Sequence, residues 1–346
     1  MERHQSEVRE MHVSATMTKY CSRFLISILF MMFATISFGW SGHETYTYIV
    51  VNSLGIDVNE LVEITKYSYV ENRVYNEPYY YKDDFAGTRK FFDSLGDGKF
   101  PPDPKPVDNK LPAWQILTIY AQMPDFGMDE GLNLSPLQAL IGNSQGVRHM
   151  RYKIGIIEAF EGNKSFVYFV NMSQKAFNEG DRYWGYRFLS YAVHYMEDLF
   201  QPYHESPGSI WEVLGSVTNK SVNKMLNNAH YAYDNYLLFL MYYSKHTDEI
   251  RKLIEETPAR RVPSNYDALM EEVMMYGYSK SHIVHDELKK AFGDILYQRT
   301  PTIEDFKNLE EIGKLDKLYS TTKDIIATMT GTVKGFLVTY IKENQK

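Results

Sequence analysis

The segment from Asp181 to Gln201 is apolar around most of its circumference when it is drawn as a helix. Its large side chains are Trp184, Phe188, Tyr191, Val193, Tyr195 and Leu199. A helix that is apolar on nearly every side has to be covered by other elements of the same chain. This segment therefore predicts a central helix around which the other elements pack.

Helical periodicity recurs along most of the chain, and strand-like alternation is scarce. The periodic segments are 135–160, 219–244, 266–275, 283–296, 303–315 and 321–343. The chain has 346 residues, 44% of them hydrophobic, which is enough for a sizeable core. Because no repeat, low-complexity tract or strong boundary interrupts it, we expect a compact all-α bundle of many helices, with residues 40–346 forming one domain.

One region departs from the helical pattern. Residues 66–112 begin with a tyrosine-rich stretch and continue as LGDGKFPPDPKPVDNKLP, whose glycines and prolines forbid a continuous helix. We expect a long irregular excursion on the surface there.

The amino terminus has the composition of a targeting segment. Lys19 and Arg23 precede an apolar run at 24–38, which is short for a bilayer span but fits a signal peptide. Small residues precede Trp40, so residues 1–39 predict a signal peptide cut before Trp40 and a secreted or extracytoplasmic protein. An uncleaved membrane anchor is the alternative. The formal net charge of −7 argues against broad electrostatic binding to a nucleic-acid backbone.

Two pairs of metal-ligating residues have helical spacing. His194 and Asp198 are four residues apart, as are His230 and Asp234, so each pair lies on one helix face. His204 lies two residues after Pro202, the proline that is expected to end the first of these helices. A hydrogen-bonded core pair would have the same spacing, but several buried imidazoles and carboxylates are costly without a cation. The single cysteine, Cys21, leaves nitrogen and oxygen as the ligands of any metal.

The run H-Y-x-x-D-x-x-x-P-x-H from His194 to His204 resembles the signature of zinc-dependent phospholipases C and the related fungal single-strand-specific nucleases. The other candidates follow in the order of that superfamily, over about residues 40–236. They are Trp40 and His43 in WSGHE, Asp125 in AQMPDFG, His149 in GVRHMRY, and the pair His230 and Asp234.

The resemblance implies the helical bundle of that superfamily and a cluster of three zinc ions. One zinc would be bound by Asp125, His149, His194 and Asp198, a second by His204, His230 and Asp234, and a third by His43, Asp198 and the amino nitrogen and carbonyl oxygen of Trp40. Two departures weaken parts of the assignment. His43 lies closer to Trp40 than is usual, and the long interval before Asp125 leaves Asp97 or Asp129 as alternatives.

The function that the resemblance implies is hydrolysis of a phosphodiester by attack of a metal-bound hydroxide on phosphorus. Asp198 would bridge two ions, and Asp125 would also orient or deprotonate the attacking water. A phospholipase C is the first interpretation, with contact to a membrane surface left open. A single-strand nuclease and 3′-nucleotidase is the alternative, and a non-catalytic zinc-binding surface protein is a further one. No protein partner is indicated, and His282 and His285 are expected on a solvated helix face.

Overall fold

The structure is a computed structural model that describes residues 42–69, 106–136, 138, 142, 144–154 and 157–344. The predicted signal peptide, Trp40, Asp97 and most of the predicted excursion lie outside these residues. None of the helices in the described ranges combines the length and the apolar character needed to span a bilayer.

The described residues are mostly helical, which confirms the predicted all-α class. The helices are α1 (His43–Asn52), α2 (Ala113–Ile119), α3 (Gln145–His149), α4 (Gly162–Asn178), α5 (Arg182–Phe200), α6 (Pro202–Glu205), α7 (Ile210–Ser216), α8 (Lys220–Tyr242), α9 (Thr247–Glu256), α10 (Tyr266–Phe292), α11 (Ile295–Gln298), α12 (Ile303–Glu311) and α13 (Asp316–Asn344). The strands are β1 (Leu61–Glu63), β2 (Lys110–Pro112), β3 (Tyr152–Ile154) and β4 (Ile157–Ala159).

Helix α5 is the predicted central helix, and nearly all of its residues are buried. It packs against α2, α4, α10 and α13. It begins where the side chain of Asp181 accepts a hydrogen bond from the backbone N–H of Trp184, at 3.2 Å. It ends because Pro202 forces the preceding residue, Gln201, into an extended conformation with ψ of 118°. Pro202 then starts the short helix α6 in the first-turn position that proline favours.

The helix predicted over residues 135–160 is wrong. Within its described part, α3 and Gln138 are helical, and β3 and β4 follow as an antiparallel pair in which Tyr152 lies opposite Ala159 and Lys153 opposite Glu158. The run YKIGIIEA is rich in aromatic and β-branched residues, which favour strands when a partner strand is close. The last residues of the predicted irregular excursion, Lys110–Pro112, form strand β2, which pairs with β1.

Other helix boundaries also differ from the sequence expectation. The separate helices predicted at 266–275 and 283–296 are mainly one continuous helix, α10, because no proline interrupts the residues between them. Helix α4 was not predicted, although its apolar residues contact α5 along its whole length. The predicted helices at 219–244 and 321–343 match α8 and α13 closely.

A glycine sets the distance between α10 and the segment that carries His204. A Cβ atom at Gly277 would lie 2.8 Å from the carbonyl oxygen of Leu199 and 3.0 Å from the Cγ of Glu205. The carbonyl group of Leu199 belongs to the backbone, so it cannot shift away from an added Cβ as easily as the end of a flexible side chain can. We therefore expect Gly277→Ala to lower the free energy of unfolding by about 1–3 kcal/mol in urea denaturation.

Gly215→Ala in α7 is the matched control for this prediction. A Cβ at Gly215 meets nothing within 4 Å, so alanine is expected to stabilise the helix there by about 0.5–1 kcal/mol. Equal unfolding midpoints for wild type and Gly277→Ala would contradict the close packing described above.

Candidate metal centre

The fold brings eight of the nine predicted metal ligands into one cluster, and the ninth, Trp40, lies outside the described residues. The ligands come from separate elements. His43 lies on α1, Asp125 on a 3-10 turn at Met123–Phe126, His149 on α3, His194 and Asp198 on α5, His204 on α6, and His230 and Asp234 on α8.

Asp198 lies at the centre of the cluster and is fully buried. Its Oδ2 atom is 2.8 Å from Nδ1 of His149 and 3.1 Å from Nε2 of His194. Its Oδ1 atom is 3.3 Å from Nε2 of His43 and 3.5 Å from Nδ1 of His204. One carboxylate therefore faces four imidazoles and lies between two halves of the cluster. The first half is His43, Asp125, His149 and His194, and the second half is His204, His230 and Asp234.

Three aspartates were considered as the first carboxylate ligand, and the structure distinguishes between the two that it describes, Asp125 and Asp129. The carboxylate oxygens of Asp125 are 3.6 Å from Nδ1 of His149, 3.7 Å from Nε2 of His194 and 3.9 Å from Nε2 of His43. Its side chain is 11% exposed, the most open of the eight. Asp125 thus lies at the accessible side of the cluster, within reach of the imidazoles with which it could hold a metal ion.

Asp129, the alternative, has a supporting position instead. It forms an ion pair with Arg148 at 2.7 Å and accepts a hydrogen bond from the hydroxyl of Tyr195 at 2.7 Å. Its Oδ2 atom also lies 3.2 Å from Nε2 of His149, the ring nitrogen that points away from Asp198. Asp129 therefore orients a predicted ligand from behind.

Three outer contacts, two of which are hydrogen bonds, determine which imidazole nitrogen faces the cluster. His194 donates from Nδ1 to the carbonyl oxygen of Ala121 at 2.8 Å, which leaves Nε2 facing Asp198. His43 contacts Glu197 through Nδ1 at 2.5 Å and turns Nε2 inward. Together with the Asp129 contact, these bonds are the outer partners typical of metal-ligating histidines. Glu197 was not among the predicted site residues, although it directly precedes Asp198 in the signature.

The second half of the cluster contains polar atoms that have no hydrogen-bond partner among the described residues. They are both ring nitrogens of His204, Nε2 of His230 and Oδ2 of Asp234, all buried. Nε2 of His230 and Oδ2 of Asp234 are 3.6 Å apart, and Gln201 donates to the other oxygen of Asp234 at 2.8 Å. Buried polar atoms are rarely left without a partner. A cation between these side chains would bind one ring nitrogen of each imidazole and Oδ2 of Asp234, so the residues fit a metal ion.

Burial keeps three of the imidazoles unprotonated. It lowers the pKa of His43 to about 3 and that of His204 to about 4, and it holds the pKa of His230 well below its usual value. A histidine binds a metal only through a ring nitrogen that carries no proton. These three side chains are therefore in the metal-binding form at neutral pH.

His149 has the opposite shift. Burial lowers its pKa, but hydrogen bonds to Asp129 and Asp198 outweigh burial and raise the pKa to about 10. Burial also raises the pKa of Asp234 well above its usual value. A metal ion and a proton compete for His149 and for Asp234, so we expect metal affinity to fall as the pH is lowered.

The donor atoms form three groups, each within 4.8 Å, that can hold a metal ion: His43, His194 and Asp198; Asp125, His149 and His194; and His204, His230 and Asp234. The first two groups share His194, and Asp198 contacts members of all three. The predicted solvated position of His282 is confirmed, whereas His285 is buried. Neither residue belongs to these groups.

No protein family, curated protein or solved structure matches this chain. The assignment of the centre therefore depends on its geometry and on the sequence signature.

We expect Glu197→Gln to weaken the binding of one metal ion by about tenfold or more. The amide accepts a weaker hydrogen bond from His43 than the carboxylate does, and partners of this kind typically contribute that much to metal affinity. Competition of Zn²⁺ against a chromophoric chelator measures the change. Glu249→Gln, at a carboxylate that is 46% exposed on α9, is the control. Unchanged affinity in Glu197→Gln would remove the assigned role of Glu197.

Proposed function

We propose that this protein is a zinc-dependent phosphodiester hydrolase of the phospholipase C type. The observation that carries the proposal is the position of Asp198, a buried carboxylate that contacts imidazoles from both halves of the cluster. A carboxylate so placed can be shared between metal ions. The order of these residues along the chain is also the order expected from the phospholipase C and nuclease superfamily.

The donor chemistry favours zinc over calcium or magnesium. The three groups combine five imidazoles with three carboxylates, whereas calcium and magnesium prefer sites built from oxygen atoms. Zinc binds both imidazole nitrogen and carboxylate oxygen. We propose three ions, the third bound by His43, Asp198 and the amino-terminal Trp40 after export and cleavage. Sequencing the amino terminus of the exported protein tests that cleavage.

When bound, zinc ions lower the pKa of a coordinated water and neutralise the oxygens of a phosphate. The chain contributes the surroundings of that reaction. Asp125 is the most accessible carboxylate of the cluster, which supports the proposed role in which it orients the attacking water and accepts its proton. Asp198 is buried and has no such access, and its contacts with the surrounding imidazoles fix the distances between them. The proposal requires no covalent intermediate on the protein.

Phospholipid is the proposed substrate class, and the negative net charge supports it over nucleic acid. Nucleic-acid binding depends on neutralising backbone phosphates with lysine and arginine, but this chain has 37 basic and 44 acidic residues. Single-stranded nucleic acid stays the alternative substrate. A non-catalytic zinc-binding protein is the further alternative, and the experiments below test it.

We expect removal of bound metal by a chelator to abolish hydrolysis of bis-p-nitrophenyl phosphate and to lower the melting temperature. Zinc is expected to restore both, because an ion that binds only the folded chain stabilises it. Asp125→Asn should lower kcat by about 10²-fold or more, the usual contribution of a positioned base. Asp324→Asn, at a carboxylate that is 56% exposed, is the control. Bound zinc without turnover of this diester, phospholipid or nucleic acid would favour the non-catalytic alternative.

The substrate class is tested by incubating the zinc-loaded protein with phosphatidylcholine and, separately, with single-stranded DNA. We expect diacylglycerol and a phosphorylated head group from the lipid, and intact DNA, as measured by mass spectrometry and gel electrophoresis. Loss of the observed reaction in Asp125→Asn would show that its product comes from this centre. Nucleotides without diacylglycerol would replace the phospholipase proposal with the nuclease alternative.

A further inference from the structure

Helix α7 presents apolar side chains to solvent. Trp211 is 79% exposed, Ile210 is 46% exposed and Leu214 is 41% exposed, whereas Val213 on the opposite face is buried. Trp211 is the most exposed large hydrophobic residue in the described part of the chain. Three such neighbours on one short helix form a patch rather than the scattered apolar exposure that is normal on protein surfaces.

The helix that carries this patch is firmly attached. Ser209 and Glu212 form a capping box at its first turn. The carboxylate of Glu212 also accepts a hydrogen bond from Nε2 of His285 at 2.9 Å and contacts the ammonium of Lys289, both on α10. The exposed apolar side chains are therefore held in a fixed orientation, and His285 is buried because it supports α7.

A cavity of about 370 Å³ opens beside the patch, between α7, β3 and α10. Ile210 and Trp211 line one side, and Tyr278 and Lys153 line another. Serine and histidine side chains complete the lining, and no carboxylate belongs to it. The ammonium of Lys153 lies 5.5 Å from the centre of the Tyr278 ring, with no carboxylate within ion-pair distance among the described residues. The cavity thus combines a cation, hydroxyl donors and aromatic walls.

We propose that α7 and this cavity form a membrane-docking surface, in which Ile210, Trp211 and Leu214 enter the interfacial layer of a phospholipid bilayer and Lys153 binds a lipid phosphate. Tryptophan is favoured at that depth because its ring is apolar and its N–H is polar. A free phosphate ion would match Lys153 but would leave the apolar patch in water. A lipid matches both, since its phosphate lies next to its acyl chains.

The docking surface adjoins the metal centre. The ring of Tyr203 lies between the two, with its centre 5.8 Å from that of His230 and 5.9 Å from that of His285, which lines the cavity. Ser206, another lining residue, follows His204 by two positions, so their Cα atoms are at most about 7 Å apart. Docking would therefore bring lipid close to the centre. The benefit for catalysis rests on the proposed phospholipase activity, whereas the binding itself does not.

Sedimentation with sucrose-loaded vesicles of phosphatidylcholine, with and without phosphatidylglycerol, tests the proposal. All proteins are prepared in the exported form, so that every variant has the same amino terminus. We expect Ile210→Ser combined with Trp211→Ser to lower the vesicle partition coefficient at least tenfold. Lys153→Gln should lower it about fivefold on the vesicles with phosphatidylglycerol. Vesicles should shift the wild-type tryptophan fluorescence to shorter wavelength, and this shift should be lost in Trp211→Phe.

Ile312→Ser is the matched control, because Ile312 is 66% exposed on α12's carboxyl-terminal side, away from the cavity. It should bind vesicles as the wild type does. Equal loss in Ile312→Ser, or unchanged binding in the double variant, would overturn the proposal. It would also fail if inorganic phosphate bound without any vesicle binding, or if Trp211→Ser only converted a dimer into monomers.

Turnover of bis-p-nitrophenyl phosphate, a soluble diester, separates this proposal from the proposed function. The double variant should hydrolyse it as the wild type does, because neither residue belongs to the metal centre. Vesicle binding without diester hydrolysis would contradict the hydrolase and leave docking intact. Diester hydrolysis without vesicle binding would contradict docking alone.

Discussion

The burial of Asp198 among four imidazoles is the constraint on which the rest of the structure depends. A carboxylate without solvent has to be compensated by hydrogen bonds or by opposite charge, and an uncompensated buried charge costs several kcal/mol. Burial itself opposes compensation by protonated histidine, since it keeps His43, His204 and His230 neutral. His149 is the exception, because two carboxylates contact it. Two of the imidazoles beside Asp198, those of His43 and His204, are therefore neutral, and neutral imidazoles beside a buried carboxylate are an arrangement suited to a cation.

The helices meet this constraint through a change of direction in the chain. On α5, the four-residue spacing places His194 and Asp198 on the same face. If that helix continued, His204 would lie too far along its axis to contact Asp198, since each residue advances the chain by about 1.5 Å. Because the helix breaks at Pro202, the chain turns back toward Asp198, and Nδ1 of His204 lies 3.5 Å from the Oδ1 atom of Asp198. The proline of the signature is thus as necessary for the cluster as its ligands.

The sequence predicted the parts of the centre that depend on local spacing. The pairs on α5 and α8 and the position of His204 follow from helix periodicity and from the effect of proline on the preceding residue. The choice between Asp125 and Asp129 does not, because both lie near one turn and only the tertiary contacts of Arg148 and Tyr195 separate their roles. The β3–β4 pair was missed for a similar reason, since a partner strand overrides the helical periodicity of a short apolar run.

The two halves of the cluster differ in how their ligands are held, and this difference bears on where a substrate can bind. In the first half, contacts with outer groups orient His43, His149 and His194. In the second, the imidazoles are oriented mainly by packing, with the Tyr203 ring stacked on His230. Asp125 and His230, at 11% and 10%, are the most exposed ligands of their halves.

A phosphate that contacts both of these exposed side chains would meet both halves of the cluster, whereas Asp198 is fully buried and is not itself accessible. Negative charge from Asp125 and Asp198 would repel that phosphate unless cations intervene. The carboxylates that could hold metal ions would therefore also make the binding of the proposed substrate depend on those ions. In the proposed function, metal occupancy and phosphodiester binding would therefore be one coupled property of this centre rather than two independent ones.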